Sequence, residues 1–129
     1  MVGDDGRVHC DPAVPADLQR TLTELYAAFN ARDVETLLRA MATDVVWPNG
    51  WEGGVVQGHE EVRDYWTRQW AEIDPAVEPV GFRREQDGRV AVTVQQVVRD
   101  PAGTVIAEGR VRHVYRFAEG LVHDMEIRP

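Results

Sequence analysis

The alternation of residue types along residues 105–128, VIAEGRVRHVYRFAEGLVHDMEIR, predicts two long antiparallel β-strands. In the first strand, charged residues alternate with apolar ones, and His113 and Tyr115 fall on the apolar face. In the second strand, His123 and Met125 fall on the apolar face. Two histidines are therefore expected on the side of the sheet that faces the protein interior.

The turn between these two strands determines which side chains meet. If a three-residue loop closes the hairpin, Tyr115 opposes His123 and His113 opposes Met125. The two imidazoles are then diagonal neighbours, with Cβ atoms roughly 7 Å apart or somewhat less. At that distance they can share a ligand or a bridging water.

The preceding hairpin is expected to add a polar group to the same face. A four-residue turn at 100–103 pairs Val98 with Val105, which places Gln96 on the face of His113. A mostly apolar surface that carries an amide, a phenol and two imidazoles is typical of a small-molecule pocket.

Ahead of these strands the apolar residues follow a period of 3.6, which predicts three helices. The first begins at about Asp17, the second follows the N-cap Asp33, and the third runs from about His59 to Ile73. The expected strands are 45–47, 55–57, 77–86, 89–99, 104–117 and 121–128. Helices followed by a β-meander indicate an α+β fold, with the helices on one face of an antiparallel sheet.

Length, composition and charge restrict the classes of function. The 129 residues suit one domain, expected over residues 17–129 behind a flexible arm at residues 1–16. A net charge of −8 repels phosphate backbones and anionic lipid, so neither nucleic acid nor a membrane is an expected partner. No apolar run approaches the roughly 20 residues of a membrane span, and the first residues lack the apolar stretch of a secretory signal. A cytoplasmic location is therefore expected.

The sequence contains no serine and no lysine, so all 14 basic residues are arginine. This composition excludes serine nucleophiles, lysine Schiff bases and phosphate-binding loops that need a lysine. The single cysteine, Cys10, forms neither an internal disulfide nor a cysteine metal site. No third metal ligand has a recognisable spacing beside His113 and His123. We expect neither a metal nor another cofactor.

Several of these residues have a structural interpretation as well as a functional one. An imidazole on an apolar face can be a neutral core residue that is hydrogen-bonded to the backbone or to Tyr115. Trp66 and Trp70, one helical turn apart, suit a core. Trp51, in a glycine-rich loop, suits the lip of a pocket or a dimer contact.

Three stretches carry a resemblance to a known family. They are YAAFNARDVETLLRAMATDVVW at 26–47, GHEEV at 58–62 and RHVYRFAEGLV at 112–122. With the order of elements, they resemble the nuclear-transport-factor-2-like superfamily, in particular its SnoaL-like and ketosteroid-isomerase-like branch. The resemblance implies a cystatin-like cone, in which three helices pack on a strongly curved antiparallel sheet around a cavity. It also implies a homodimer, and members that range from isomerases, cyclases, dehydratases and hydrolases to binding modules.

The resemblance transfers site positions residue by residue. The helix tyrosine of the isomerases falls at Leu25, their carboxylate base at Asn49, and their second oxyanion donor at His113. The last-strand aspartate of the epoxide hydrolases falls at Ile127. The site position is thus present, but the carboxylate base is not.

Two functions remain open from the sequence. The first is a cofactor-independent acid–base enzyme acting on a small, largely apolar metabolite, with His113 or His123 as the base, because an imidazole titrates near neutral pH. Tyr115, Asn49 or Gln96 would then help to hold the developing oxyanion. The second is a binding or dimerisation module without turnover. The expected substrate-binding residues are Tyr26, Phe29, Trp47, Trp51, Tyr65, Trp66, Gln96 and Met125.

Overall fold

A computed structural model of the chain describes residues 9–50 and 52–129. The elements are β1 (His9–Cys10), α1 (Ala16–Asn30), α2 (Val34–Arg39), β2 (Met41–Pro48), β3 (Val55–Gln57), α3 (Gly58–Glu72), β4 (Asp74–Arg84), β5 (Val90–Arg99), β6 (Val105–Ala118) and β7 (Leu121–Arg128). The strands form a seven-stranded sheet in the order β1-β4-β5-β6-β7-β2-β3. Three helices pack on this curled sheet, so the predicted α+β fold is confirmed.

Strands β4 to β7 form the predicted antiparallel meander. Strand β1 extends the meander at one edge, and strands β2 and β3 extend it at the other. Two of these pairings are parallel, β1 with β4 and β2 with β7. The core lies between the helices and one face of the sheet and includes Leu22, Leu37, Trp66 and Tyr115. None of the three helices in the described ranges has both the length and the apolar character that a membrane crossing needs.

The start of the chain differs in part from the expected flexible arm. His9 and Cys10 pair with Gly81 and Phe82 of β4, and Val14 is buried in the core. The paired backbone and the buried valine fix this segment on the sheet. Residues 1–8 lie outside the described residues, and a flexible arm there stays a prediction.

Helix α1 ends, and helix α2 begins, where the sequence indicates. Helix α1 buries Leu22, Leu25 and Tyr26 and ends at Asn30. The side chain of Asp33 accepts a hydrogen bond from the backbone N–H of Thr36 and caps α2, as predicted.

The end of α1 is tied to strand β4 by one side chain. Asn30 Nδ2 donates to the carbonyl of Val77 at 2.7 Å, and Asn30 Oδ1 accepts from the N–H of Val77 at 2.9 Å. The amide therefore replaces a neighbouring strand at this point of the β4 edge. Since Val77 also faces the cavity described below, this contact holds one cavity wall.

The β6–β7 register differs from the expected one. A two-residue turn joins the strands, with positive φ at both Glu119 and Gly120, as type I′ requires. A bulge follows, in which His123 is the extra residue between Val122 and Asp124. The predicted three-residue loop was therefore wrong.

The bulge changes every pair beyond it. Tyr115 opposes Met125, and His113 opposes Ile127. The predicted register, with the two imidazoles as diagonal neighbours, is therefore wrong. The physical reason is burial, because the bulge buries Val122 completely at a point where the expected register would direct His123 inward.

The β5–β6 register also differs, but without changing the faces. Val98 opposes Ala107 instead of Val105, because the turn is one residue longer than expected, with Arg99 opposite Val105, and Ile106 is the extra residue of a bulge. The shift is an even number of residues, so Gln96 still lies on the face of His113, as predicted.

Replacement of Asn30 by alanine tests the connection between α1 and β4. Asn30→Ala leaves both backbone groups of Val77 without their partner, and we expect it to lower the free energy of unfolding by about 2 kcal/mol. Glu24→Ala, an exposed change on the same helix, is the control and should stay within about 0.5 kcal/mol of the parent. Urea denaturation measures both, and equal stabilities of the two variants would contradict this role of Asn30.

Candidate functional site

A cavity of about 640 Å³ lies between helices α1 and α3 and the inner face of the sheet. Its walls are mostly apolar, and its size is within the range of roughly 300–1,000 Å³ that is usual for small-molecule sites. The predicted site residues that line it are Tyr26, Phe29, Trp47, Tyr65, Trp66, Gln96, His113, Tyr115 and Met125.

Three polar side chains form a hydrogen-bonded chain at one wall of this cavity. The hydroxyl of Tyr115 donates to Tyr26 Oη at 2.8 Å, and Tyr26 Oη lies 2.9 Å from His113 Nδ1. Tyr115 and His113 alternate along β6 and so share a face, while Tyr26 comes from the buried face of α1. The rings of Tyr26 and His113 are stacked, with centroids 5.8 Å apart. The three side chains thus connect the helix to the sheet.

Burial determines the charge state of this chain. It lowers the pKa of His113 from 6.5 to about 4, and it raises the pKa values of Tyr26 and Tyr115 above their usual 10. All three groups are therefore neutral at pH 7. The expectation that this imidazole titrates near neutral pH was wrong, because the sequence does not show how completely the ring is removed from water.

The hydrogen bonds assign a role to each nitrogen of His113. With Tyr115 donating to Tyr26, the assignment that satisfies all three groups has Tyr26 donating to Nδ1 and the proton of the neutral ring on Nε2. Nε2 makes no hydrogen bond within the described residues, and it is not among their fully enclosed unpaired atoms. His113 lines the cavity, so Nε2–H is the group that it offers to a ligand.

His123 lies apart from this chain. The bulge displaces it, its side chain is 41% exposed, and its Nδ1 lies 2.9 Å from Asp124 Oδ2. The same carboxylate oxygen accepts from Arg116 Nε at 3.2 Å. His123 is outside the set of residues that line the cavity, so the structure does not bring the two predicted catalytic histidines together.

Asn49, which was expected to help to hold the oxyanion, is bonded to its own loop instead. Its Oδ1 accepts from the N–H of Glu52 at 2.7 Å, and its Nδ2 donates to Glu52 Oε1 at 3.0 Å. Arg68 in turn holds the Glu52 carboxylate at 2.9 Å. The amide is buried and organises the loop between β2 and β3, and it is not among the residues that line the cavity. Trp51, in the same loop, lies outside the described residues.

The cavity is also lined by residues outside the predicted set of catalytic and substrate-binding residues. Leu25, Ile127 and Gln69 also line the cavity. Gln69 had a signal, since it is a polar residue on an otherwise apolar helix face. Leu25 and Ile127 had a signal as well, since the resemblance placed family site positions at both.

The tyrosine beside His113 comes from a neighbouring position. The resemblance placed the helix tyrosine of the isomerases at Leu25, but the hydroxyl that meets His113 belongs to Tyr26. Within residues 9–50 and 52–129, no cluster of three or more His, Cys, Asp or Glu side chains is arranged to hold a metal.

The comparisons with known proteins agree with this fold. Residues 22–125 match the family model of the SnoaL-like domain, and the chain belongs to that family. No curated protein matches the sequence.

Solved structures share the fold over most of the chain. An NTF2-like protein of unknown function from Burkholderia pseudomallei is 27% identical, with a TM-score of 0.77 over 88% of this chain and 91% of its own. TerC, co-crystallised with polyporic acid, is 26% identical, with a TM-score of 0.76 over 87% of this chain and 90% of its own. SalBIII, an epoxide hydrolase/cyclase-like enzyme of pyran ring formation in salinomycin, is 20% identical, with a TM-score of 0.72 over 86% and 88%. The last of these shows the fold alone.

The pKa of His113 predicts a dependence of stability on pH. The unfolded chain binds a proton near pH 6.5, whereas the folded ring stays neutral down to about pH 4. The folded state therefore loses stability as the pH falls through this window, by about 3 kcal/mol from this group. We expect His113→Asn to lose less stability than the parent between pH 7 and pH 4, as measured by urea denaturation. Thr23→Ala, an exposed change without a titratable group, is the control and should keep the parent's slope, and a parental slope in His113→Asn would contradict the burial effect.

Restoring a carboxylate at position 49 tests the role of Asn49. Asn49→Asp removes the donor to Glu52 and places two carboxylates together, so we expect a loss of about 1–2 kcal/mol at pH 7 and a smaller loss at pH 4. The double variant Asn49→Asp/Glu52→Gln removes the repulsion and should recover most of the loss. Thermal unfolding at both pH values measures these effects, and an unchanged stability in Asn49→Asp would show that the amide does not hold the loop.

Proposed function

We propose that this protein is an acid–base enzyme that binds a small, largely apolar molecule in the cavity and donates a hydrogen bond from His113 to its reacting oxygen. The observation that carries the proposal is the buried Tyr115–Tyr26–His113 chain at the cavity wall. Burial of three polar side chains is costly unless their hydrogen bonds are satisfied, and here one donor is left for a ligand.

The direction of the hydrogen bonds favours a donor role for His113. In this assignment Tyr115 donates to Tyr26 and Tyr26 donates to Nδ1, so Nδ1 receives a hydrogen bond and Nε2–H becomes a stronger donor. In a site with little water, such a donor stabilises negative charge that develops on a carbonyl or similar oxygen. This chemistry serves isomerases, cyclases, dehydratases and hydrolases alike, and the donor is a side chain, so no cofactor is needed.

The complex of TerC with polyporic acid supports a small-molecule ligand for this fold. The homodimer and the cytoplasmic location that the sequence suggested stay predictions.

A second candidate function is a binding module without turnover. It is favoured by the absence of a free carboxylate base among the described residues that line the cavity. The carboxylate in that set belongs to Glu126, which is paired with Arg89 and Arg128. Asn49, at the position of the isomerase base, is an amide bonded to the loop.

Two probes test the proposed donor role. We expect 2-naphthol to bind about tenfold more tightly than naphthalene, because one hydrogen bond to Nε2–H is worth about 1 kcal/mol or more. His113→Phe should remove this difference, and His123→Asn, the control, should keep it. Titration calorimetry measures both affinities, and a difference that survives in His113→Phe overturns the donor role.

A proton-exchange assay separates the two functions. We expect the protein to accelerate deuterium exchange at the α-carbon of 2-tetralone, followed by NMR, and His113→Phe to lose the acceleration. His123→Asn should retain it. Tighter binding of 2-naphthol than of naphthalene, without any acceleration of exchange, would establish the binding module in place of the enzyme.

A further inference from the structure

A second polar side chain of the cavity has no side-chain hydrogen bond to the described part of the chain. Gln96 of β5 lines the cavity and is half-buried, yet its amide makes no side-chain hydrogen bond within the described residues. A primary amide offers both a donor and an acceptor. Gln96 therefore presents unused hydrogen-bonding capacity to whatever occupies the cavity.

The strand register fixes where Gln96 stands relative to His113. Val92 opposes His113 and Gln96 opposes Gly109, with no bulge between these two pairs. Gln96 and His113 therefore share a face, and they are four residues apart along the β5–β6 ribbon. At about 3.3 Å per residue, they are separated by roughly 13 Å along the strands.

The wall between these two groups is apolar. Val111 of β6 lies between His113 and Gly109 on the same face, and Trp66 and Met125 also line the cavity. A ligand that spans these two groups is thus expected to have an apolar body between two polar ends. Because side chains can lean along the strands toward each other, we expect the two ligand atoms that they contact to be on the order of 10 Å apart.

Space is available around the amide of Gln96. Its cross-strand neighbour on β6 is Gly109, where an added Cβ would meet no atom within 4 Å, and on β4 it is Val77. The glycine leaves one flank of Gln96 open, so a ligand group can reach the amide from that side.

The charge of the cavity limits the chemistry of the ligand's ends. No arginine is among the described residues that line the cavity, and His113 is neutral there. A carboxylate or phosphate would be buried without a counter-charge, which is costly. The ends that fit are uncharged oxygens of phenols, alcohols or ketones.

We propose that the cavity selects elongated, largely apolar molecules with an uncharged oxygen at each end, one bound by His113 and the other by Gln96. This inference rests on the proposed function for the His113 end and adds the length and the second functional group of the substrate. Gln96 is then the residue that determines the length of the molecules that bind.

A pair of rigid two-ring probes tests the second end. We expect 4,4′-dihydroxybiphenyl to bind the protein about tenfold more tightly than 4-hydroxybiphenyl, beyond the twofold that two equivalent hydroxyls give. Gln96→Leu should remove this gain. The matched control is Gln95→Leu, the same change one residue away on the opposite face of the strand, where Gln95 bonds to Arg110. Gln95→Leu should keep the gain in titration calorimetry.

A second variant keeps the test decisive if Gln96→Leu is poorly folded. Gly109→Val fills the open flank of Gln96 on an exposed strand position, and we expect it to weaken dihydroxybiphenyl binding while the affinity for 2-naphthol, bound at the His113 end, is unchanged.

The outcomes separate the two proposals. Equal affinities of the one- and two-oxygen probes, or a gain that persists in both Gln96→Leu and Gly109→Val, overturn the inference and leave the His113 role intact. A preference for 2-naphthol over naphthalene that survives in His113→Phe overturns the proposed function itself.

Discussion

The hydrogen bond between Tyr26 and His113 is the contact on which the site depends. It joins a helix to the central strand of the sheet across an otherwise apolar interior. Because it occupies Nδ1, it determines that the other nitrogen of the ring is the one available to a ligand. The hydroxyl of Tyr115 completes the arrangement by bonding to Tyr26, so that each buried polar atom of the two phenols has a partner.

Burial of this chain explains why the interior of the protein has a different electrostatic character from its surface. The chain carries a net charge of −8, and its charged side chains form ion pairs at the exterior, such as Arg68 with Glu52. Inside, desolvation keeps His113, Tyr26 and Tyr115 neutral. These three groups can therefore act on a ligand only as uncharged donors and acceptors. The charge of these three groups also stays the same between about pH 5 and pH 8, because none of them titrates there.

The sequence predicted the faces of the strands better than their register. Alternation of residue types is a property of one strand, and it correctly placed His113, Tyr115 and Gln96 on one face. Register depends on turns and bulges, and the segment Ala118–Gly120 is compatible with a two-residue or a three-residue turn. The choice was made by tertiary packing, which buries Val122 and leaves His123 as the extra residue. Asn49 illustrates the same limit, since its neighbours Glu52 and Arg68 meet it only in the folded loop.

The cavity offers the neutral polar groups of His113 and Gln96, but the position of the isomerase base carries the amide of Asn49 and no carboxylate, and this restricts the chemistry of the site. A reaction at a carbonyl compound needs stabilisation of charge on the oxygen and removal of a proton from carbon. In the proposed function His113 supplies the first, because a neutral N–H donates a hydrogen bond to developing negative charge. Its low pKa makes it a poor acceptor of a proton from carbon, and Asn49 cannot serve in its place. The geometry is therefore suited to substrates whose oxygen gains charge early, and whose transferred proton is already acidic or is carried by water.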